Sequence, residues 1–257
     1  FSFLGRYRTI DFPISNMSNS GIDNIQVYVR RKPRSLTEHL GTGRHYNINS
    51  KRGSLNIMYT ERNQIGDLYS TDIAAYIENI DCIERMPQQY VVLAPSYMIY
   101  TADYSKFLKE HIESGADISL MYHSVDNAKE NFLNCGTLNI NKQKGVLSIE
   151  PNHGTAKNRN IFMDTYVMTK ELFLELVNKA HKTSSMYTFS DIVDEECEEL
   201  DIRAVPHRGY FAAITDFSSY YQANMDLIDL KHASDLFDPE WPIYTRTNDS
   251  CPTQYFE

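Results

Sequence analysis

The sequence predicts an α/β domain, a sheet covered by helices, and three observations carry that reading. Strand-like and helix-like patterns alternate along most of the 257 residues. The run Tyr90-Val91-Val92-Leu93-Ala94 is continuously apolar, as in a parallel strand buried on both faces. Between it and a second such run at 118–122, Phe107, Leu108 and Ile112 recur at helical spacing over 104–114, and Gly115 supplies a stop.

The other elements follow in order. Residues 25–29 form a short apolar strand and 71–80 a helix. Residues 136–140 and 146–149 are two short strands joined by Asn141-Lys142-Gln143-Lys144-Gly145, a hairpin-like turn. The polar stretch 152–160 reads as loop, 171–180 and 192–200 as helices, and 211–215 as a further strand. From 235 the chain is rich in Pro, Asp, Thr and aromatics without periodicity, so 1–234 reads as one α/β domain and 235–257 as a connector.

Composition narrows the classes. With 42% apolar and 23% charged residues the chain can bury a full core. A net charge of -9, from 25 basic and 34 acidic residues, argues against a nucleic-acid partner. Basic side chains do gather at Arg30, Arg31, Lys32 and Arg34, and at Arg44, Lys51 and Arg52, as a solvated loop or as an anion pocket. Four widely spaced cysteines without a C-x-x-C pair read as reduced thiols, not as a disulfide framework or zinc site. No apolar run approaches the roughly 20 residues of a membrane span. The chain opens at Phe1-Ser2-Phe3 without a methionine, so a preceding segment is expected and no leader can be judged from its absence.

Ligands of α/β sheets sit beyond the carboxyl ends of the strands. Arg30 and Arg31 follow Val29 and suit a phosphate or carboxylate. Pro95, Ser96, Tyr97 and Met98 follow Ala94 without a carboxylate, and Phe211, Ala212, Ala213 and Ile214 carry no titratable group. Metal-dependent nucleotidyl transfer needs hard oxygen ligands, usually carboxylates. The nearest acids, Asp103 and Asp216, read as helix caps. His39 and His45 lie six apart, His207 stands beside Arg208, and Gly41-Thr42-Gly43 lacks the lysine of a phosphate loop. The residues by themselves describe an anion-friendly α/β domain without evident catalytic machinery.

One resemblance extends this. Gly5-Arg6-Tyr7-Arg8-Thr9-Ile10-Asp11-Phe12-Pro13-Ile14-Ser15-Asn16, followed by Asn19-Ser20-Gly21-Ile22, is similar to the G-(K/R)-(F/Y)-R-I-I-D-F-x-L-S-N and N-S-G-I of ADP-glucose pyrophosphorylases (glucose-1-phosphate adenylyltransferases). Ala223-Asn224-Met225-Asp226-Leu227 resembles that family's A-N-(M/L)-D-L, and Trp241-Pro242-Ile243-Tyr244-Thr245 its W-P-I-x-T link. The resemblance implies a Rossmann-like nucleotidyltransferase domain of the glycosyltransferase-A type, a mixed sheet covered by helices. It also places the family's glycine-rich loop before Phe1 and its left-handed β-helix beyond Glu257, so that this chain lacks both.

Carried over residue by residue, the family's site is largely replaced. Tyr97 stands where G-D-H-I-Y has one metal aspartate, and Ala213 where W-R-D-V-G-T has the other. The phosphate-holding lysine of E-K-P falls near Pro151-Asn152-His153, where no lysine stands. The sugar-binding serine of S-M-G-I-Y becomes Phe162, and the lysine of F-G-K-D becomes Ser190, with Asp191 kept. The adenine-contacting glutamine becomes Arg30, G-T-A-D-A becomes Thr71-Asp72-Ile73-Ala74-Ala75, and Tyr69 and Gly136 are retained. The resemblance therefore implies the non-catalytic, GlgD-type subunit, a cytoplasmic protein of bacterial glycogen synthesis that modulates a catalytic partner in a hetero-tetramer. No cofactor is expected, although active relatives use Mg²⁺, and a sugar-phosphate effector is an expected ligand. Two other readings stay open: an active enzyme making ADP-glucose with Asp72, Asp103 or Asp216 recruited for metal, and an anionic-metabolite binder built on Arg30, Arg31, Lys32 and Arg34.

Overall fold

In a computed structural model that describes residues 2–29, 33–49, 51–59 and 71–247, helices and strands alternate along the chain. A two-stranded ribbon, β1 (Ser2–Phe3) and β2 (Tyr7–Arg8), leads into α1 (Asp11–Asn19), β3 (Asn24–Val29), α2 (Pro33–Leu40) and β4 (Ser54–Tyr59). Next come α3 (Asp72–Glu78), α4 (Ile80–Glu84), β5 (Tyr90–Leu93), β6 (Met98–Tyr100), α5 (Tyr104–Ser114) and β7 (Ile118–Val125). The hairpin β8 (Gly136–Ile140) and β9 (Val146–Pro151) precedes β10 (Arg159–Thr169), α6 (Lys170–Thr183) and α7 (Phe189–Glu195). The chain continues through β11 (Ile202–Pro206), β12 (Phe211–Ala213), α8 (Phe217–Asp226) and α9 (Leu230–Leu236).

The main sheet is mixed and runs β11-β7-β10-β8-β9, with β5 also on β10. Strand β10 is its spine. One edge pairs antiparallel with β7; the other is shared by β5, at Tyr166 to Thr169, and β8, at Ile161. A bulge interrupts the β10–β7 ladder between Phe162 and Thr165. Strand β11 adds to β7 in parallel. Two smaller pairs stand apart, β3 parallel to β4 and β12 antiparallel to β6.

Side chains of β10 leave in both directions, and each face has its own core. Phe162, Tyr166 and Met168, with Ile118 and Leu120 of β7, pack under Ile73 of α3, Phe173 and Val177 of α6, and Phe189 and Ile192 of α7. On the other face Ile161, Met163 and Val167 meet Met98, Tyr100, Phe107, Met121 and Phe211. The helices end as their sequences dictate. Asp103 caps α5 by accepting from the amides of Ser105 (2.9 Å) and Lys106 (3.3 Å), and Gly115 closes it at φ 68°.

Four sequence readings are corrected. Residues 90–94 read as a parallel strand, yet β5 runs antiparallel to β10, its partner among the described residues. Continuous apolarity reports burial of both faces, not strand direction. The loop assigned to 152–160 ends early, because β10 already begins at Arg159. The helix over 71–80 breaks at Asn79 into α3 and α4, and 192–200 resolves into the end of α7 and a 3-10 turn, Glu196–Glu198.

Helix α9 crosses the 234/235 boundary, and the chain beyond it returns to α1. Trp241 Nε1 donates to Asn16 Oδ1 (3.0 Å), Asn19 Nδ2 to the Pro242 carbonyl (2.9 Å), and the Tyr244 amide to Ser15 Oγ (2.8 Å). Among the described residues no helix is long and apolar enough to cross a membrane.

Candidate functional site

Beyond Leu93 the chain turns through Pro95 and Ser96 to Tyr97 and enters β6. Strand β12 lies antiparallel beside it, Ala213 opposite Met98, and the Ile214 amide donates to the Tyr97 carbonyl at 2.8 Å. Tyr97, the residue before β6, and Ala213, the last residue of β12, the two positions assigned to metal carboxylates, therefore lie at the same end of this strand pair. Their side chains are a phenol and a methyl.

The carboxylate of this corner comes from elsewhere. The Tyr97 hydroxyl donates to Oδ2 of Asp164, which sits in the β10 bulge. Asp164 has φ 45°, a left-handed conformation that glycine adopts freely. In the gap-free register that sets Phe162 on the serine of S-M-G-I-Y, Asp164 stands on its glycine. Burial raises the Asp164 carboxyl to about 6, the Tyr97 hydrogen bond pulling the other way. Burial first, and Asp164 second, push the Tyr97 phenol far above its ordinary range. The pair at neutral pH is thus a neutral phenol donating to a carboxylate.

Phe162 is fully buried and meets Tyr166 edge-on, with centroids 5.0 Å apart and planes at 84°. A Cβ built on Gly136 would stand 3.4 Å from the Phe162 ring. The ring thus fills interior volume that the smaller serine implied by the resemblance would leave empty.

These residues do not fit Mg²⁺. The ion takes near-octahedral oxygen ligands, with carboxylates as its protein donors. Tyr97 and Ala213 supply none, and Asp164 supplies one group that already accepts from Tyr97. Among the described residues no group of three or more His, Cys, Asp or Glu side chains could hold a metal ion.

The remaining candidates divide. Asp191 closes a capping box with Thr188, accepting from its amide and its hydroxyl at 2.8 Å each, and Ser190 lies in the same first turn of α7. Asp72 accepts from the Phe189 amide at 3.1 Å, which ties α3 to the start of α7. Asn152, near the expected lysine, turns inward instead. It is 2% exposed, and its Nδ2 reaches the carbonyls of Ala128 (2.8 Å), Phe132 (3.0 Å) and Asn131 (3.1 Å). Asp216, like Asp103, caps a helix. Arg34 lies on exposed α2 and pairs with Glu38 four residues on, at 3.1 Å. Tyr69, Arg30, Arg31 and Lys32 lie outside the described residues. Asp164 escaped the sequence reading; its only signal was an acid inside the apolar run 161–168.

Comparison with known proteins agrees with this architecture. The nucleotidyl transferase family matches residues 1–229. The chain is 30% identical over 262 residues to the glucose-1-phosphate adenylyltransferase of Clostridioides difficile (strain 630), covering 99% of this chain and 66% of that protein. It is 31% identical to the enzymes of that name from Clostridium novyi (strain NT) and Halalkalibacterium halodurans, covering 98% of this chain and 66% of each. The chain spans about two thirds of the length of these relatives. With a family match across nearly all of its described strands and helices, the chain belongs to the nucleotidyl transferase family, among the relatives of glucose-1-phosphate adenylyltransferase.

Proposed function

We propose that this chain is part of a catalytically impaired regulatory subunit of glucose-1-phosphate adenylyltransferase in bacterial glycogen biosynthesis. It acts in the cytoplasm by modulating a catalytic partner subunit within a hetero-tetramer. The observation that carries the reading is the Tyr97–Asp164 contact beside Ala213. Transfer of an adenylyl group to glucose 1-phosphate builds negative charge on departing pyrophosphate, which a preorganised cation must offset. Here the corner that would seat the cation holds a phenol, a methyl and one engaged carboxylate, and a fully buried Phe162 stands where the resemblance implies a sugar-binding serine.

The active-enzyme reading gains nothing from the acids it needs. Asp103 and Asp216 are committed to helix caps, and Asp72 to the Phe189 amide. The deciding experiment is ADP-glucose formation by the full-length protein, alone and mixed with the catalytic subunit of the same organism. No turnover alone, together with a changed rate or effector response in the mixture, supports regulation; Mg²⁺-dependent turnover alone overturns it.

A further inference from the structure

Between β7 and β8 the chain forms a loop, residues 126–135, that gives Asp126, Asn127 and Phe132 to the lining of a cleft of about 650 Å³. Phe211, which also lines the cleft, belongs to β12 and is anchored. The His123 ring of β7 lies 5.1 Å from it, His123 Nδ1 is 3.0 Å from His207 Nδ1, and His207 Nε2 is 2.9 Å from the Thr101 carbonyl. The loop meets this anchored ring through Phe132, stacked on Phe211 with centroids 5.4 Å apart and planes 5° apart.

The loop is strained and is held chiefly by one residue. Phe132 and Asn134 have φ 58° and 64°, in the left-handed region that asparagine tolerates and a bulky aromatic residue rarely adopts. Such a conformation persists only where surrounding contacts over-determine it. Those contacts converge on the buried Asn152, just past β9. Its Nδ2 group has two hydrogens for three loop carbonyls, those of Ala128 (2.8 Å), Asn131 (3.1 Å) and Phe132 (3.0 Å). Its carbonyl accepts from the Asn134 amide (2.9 Å), and its amide donates to the Cys135 carbonyl (2.8 Å). Oδ1 accepts from the Gly154 amide (3.1 Å), which sets the side-chain NH₂ toward the loop. Apolar anchorage is slight: Ala128 and Cys135 are buried, whereas Asp126, Asn127, Lys129, Glu130, Asn131, Leu133 and Asn134 are exposed. Segments with so few buried apolar contacts open at lower free energy than the core.

We propose that residues 127–135 form a two-state flap on Phe211, with Asn152 as the latch of the closed state and the left-handed backbone at Phe132 and Asn134 favouring release, so that opening bares Phe211 and the Cys135 thiol. A permanently rigid turn of this shape would be built most stably with glycine at 132 and 134, where a left-handed backbone costs least. Asn152 is a positioning residue, and the flap governs access to the aromatic side of the cleft.

Iodoacetamide labelling of Cys135 in the native full-length protein, resolved by peptide mass spectrometry, tests this. The thiol is 3% exposed, and burial raises it to about 12, so labelling reads opening. That opening should be populated about tenfold or more above the one that exchanges the Val167 amide, in the centre of β10. Equal populations would overturn the proposal, because Cys135 would then be reached only by global unfolding. Asn152→Asp sets a carboxylate against three carbonyls and should speed Cys135 labelling about tenfold or more, with Val167 protection kept. Unchanged labelling in that variant, folded, overturns the latch. Phe132→Ala keeps the strain and Phe132→Gly removes it, so the glycine variant should label severalfold more slowly than the alanine one. Equal or faster labelling in the glycine variant overturns the stored strain. Should Asn152→Asp not fold, the parent measurement and the Phe132 pair decide.

Discussion

Tyr97 and Asp164 stand 67 residues apart, and their hydrogen bond joins the start of β6 to the bulge of β10. In the register that the resemblance implies, a phenol stands on a carboxylate position and a carboxylate on a glycine position, and the two side chains meet. Each leaves a half-buried polar group if the other is removed. Tyr97→Phe is expected to cost about 1–3 kcal/mol in urea unfolding, because Asp164 loses its donor. Adding Asp164→Gly should recover most of that loss, since it removes both the orphaned carboxylate and the left-handed strain. Additive losses in the double variant would mean that the two side chains do not act as a pair.

Acid stability should carry two opposed contributions. Asp164 is raised from 3.8 to about 6, so the native state holds its proton more tightly than the unfolded chain. Its contribution is fully present below about pH 3.8 and is lost as pH rises through about 6. His207 is lowered from 6.5 to about 4, so its contribution is present above about pH 6.5 and is lost as pH falls through 4. A tenfold change in proton affinity is worth roughly 1.4 kcal/mol, so each contribution amounts to about 3 kcal/mol. The two nearly cancel in the parent protein. Asp164→Asn should therefore gain stability at pH 7.5 and expose a loss between pH 6.5 and 4, whereas His207→Gln should leave a gain as pH falls through that window. Unfolding free energies measured across that window decide both.

Restoring both carboxylates should restore a cation site. Tyr97→Asp with Ala213→Asp places two acids at one end of the β6–β12 pair, and Asp164→Gly removes the carboxylate that contacts position 97. Saturable Mg²⁺ binding is expected by calorimetry in the triple variant and not in the parent protein. A rise in melting temperature with Mg²⁺ in the triple variant alone would agree with it. Equal Mg²⁺ affinity in both would show that the parent protein already holds the ion through groups outside this corner.

Asp103 offers a control on the alternative metal reading. Asp103→Ala removes a cap and should lower stability by about 1 kcal/mol, with ADP-glucose formation by the mixed oligomer unchanged. Asp103→Asn, which still caps, should be close to neutral. Loss of activity in both variants at retained stability would restore Asp103 as a candidate ligand.

The elements legible in the sequence were those that announce their own ends. Helix α5 carries Asp103 before it and Gly115 after it, and the β8–β9 hairpin has a polar turn between alternating strands. Strand β10 announces nothing. It is buried on both faces, so Ile161 to Met168 shows no period of two, and Asp164 interrupts the run. The site was legible where motif spacing located Tyr97, Phe162 and Ala213. Their mutual arrangement, and the role of Asp164, arise from pairings between distant segments that local spacing does not encode. The His123–His207 contact, 84 residues apart, was hidden for the same reason.

The bulge in β10 has a consequence in parity. Phe162 faces Tyr122 of β7, and Thr165, three residues on, faces Met121, only one residue back. The detour thus inserts two residues, an even number. Phe162 and Tyr166 consequently emerge on one side of the sheet and Ile161 and Val167 on the other, as though the ladder had never been broken. Excising Met163 and Asp164 together would rejoin the strand with inside and outside unchanged. Excising Asp164 alone would turn one half of β10 inside out, driving apolar side chains on both faces into the wrong core.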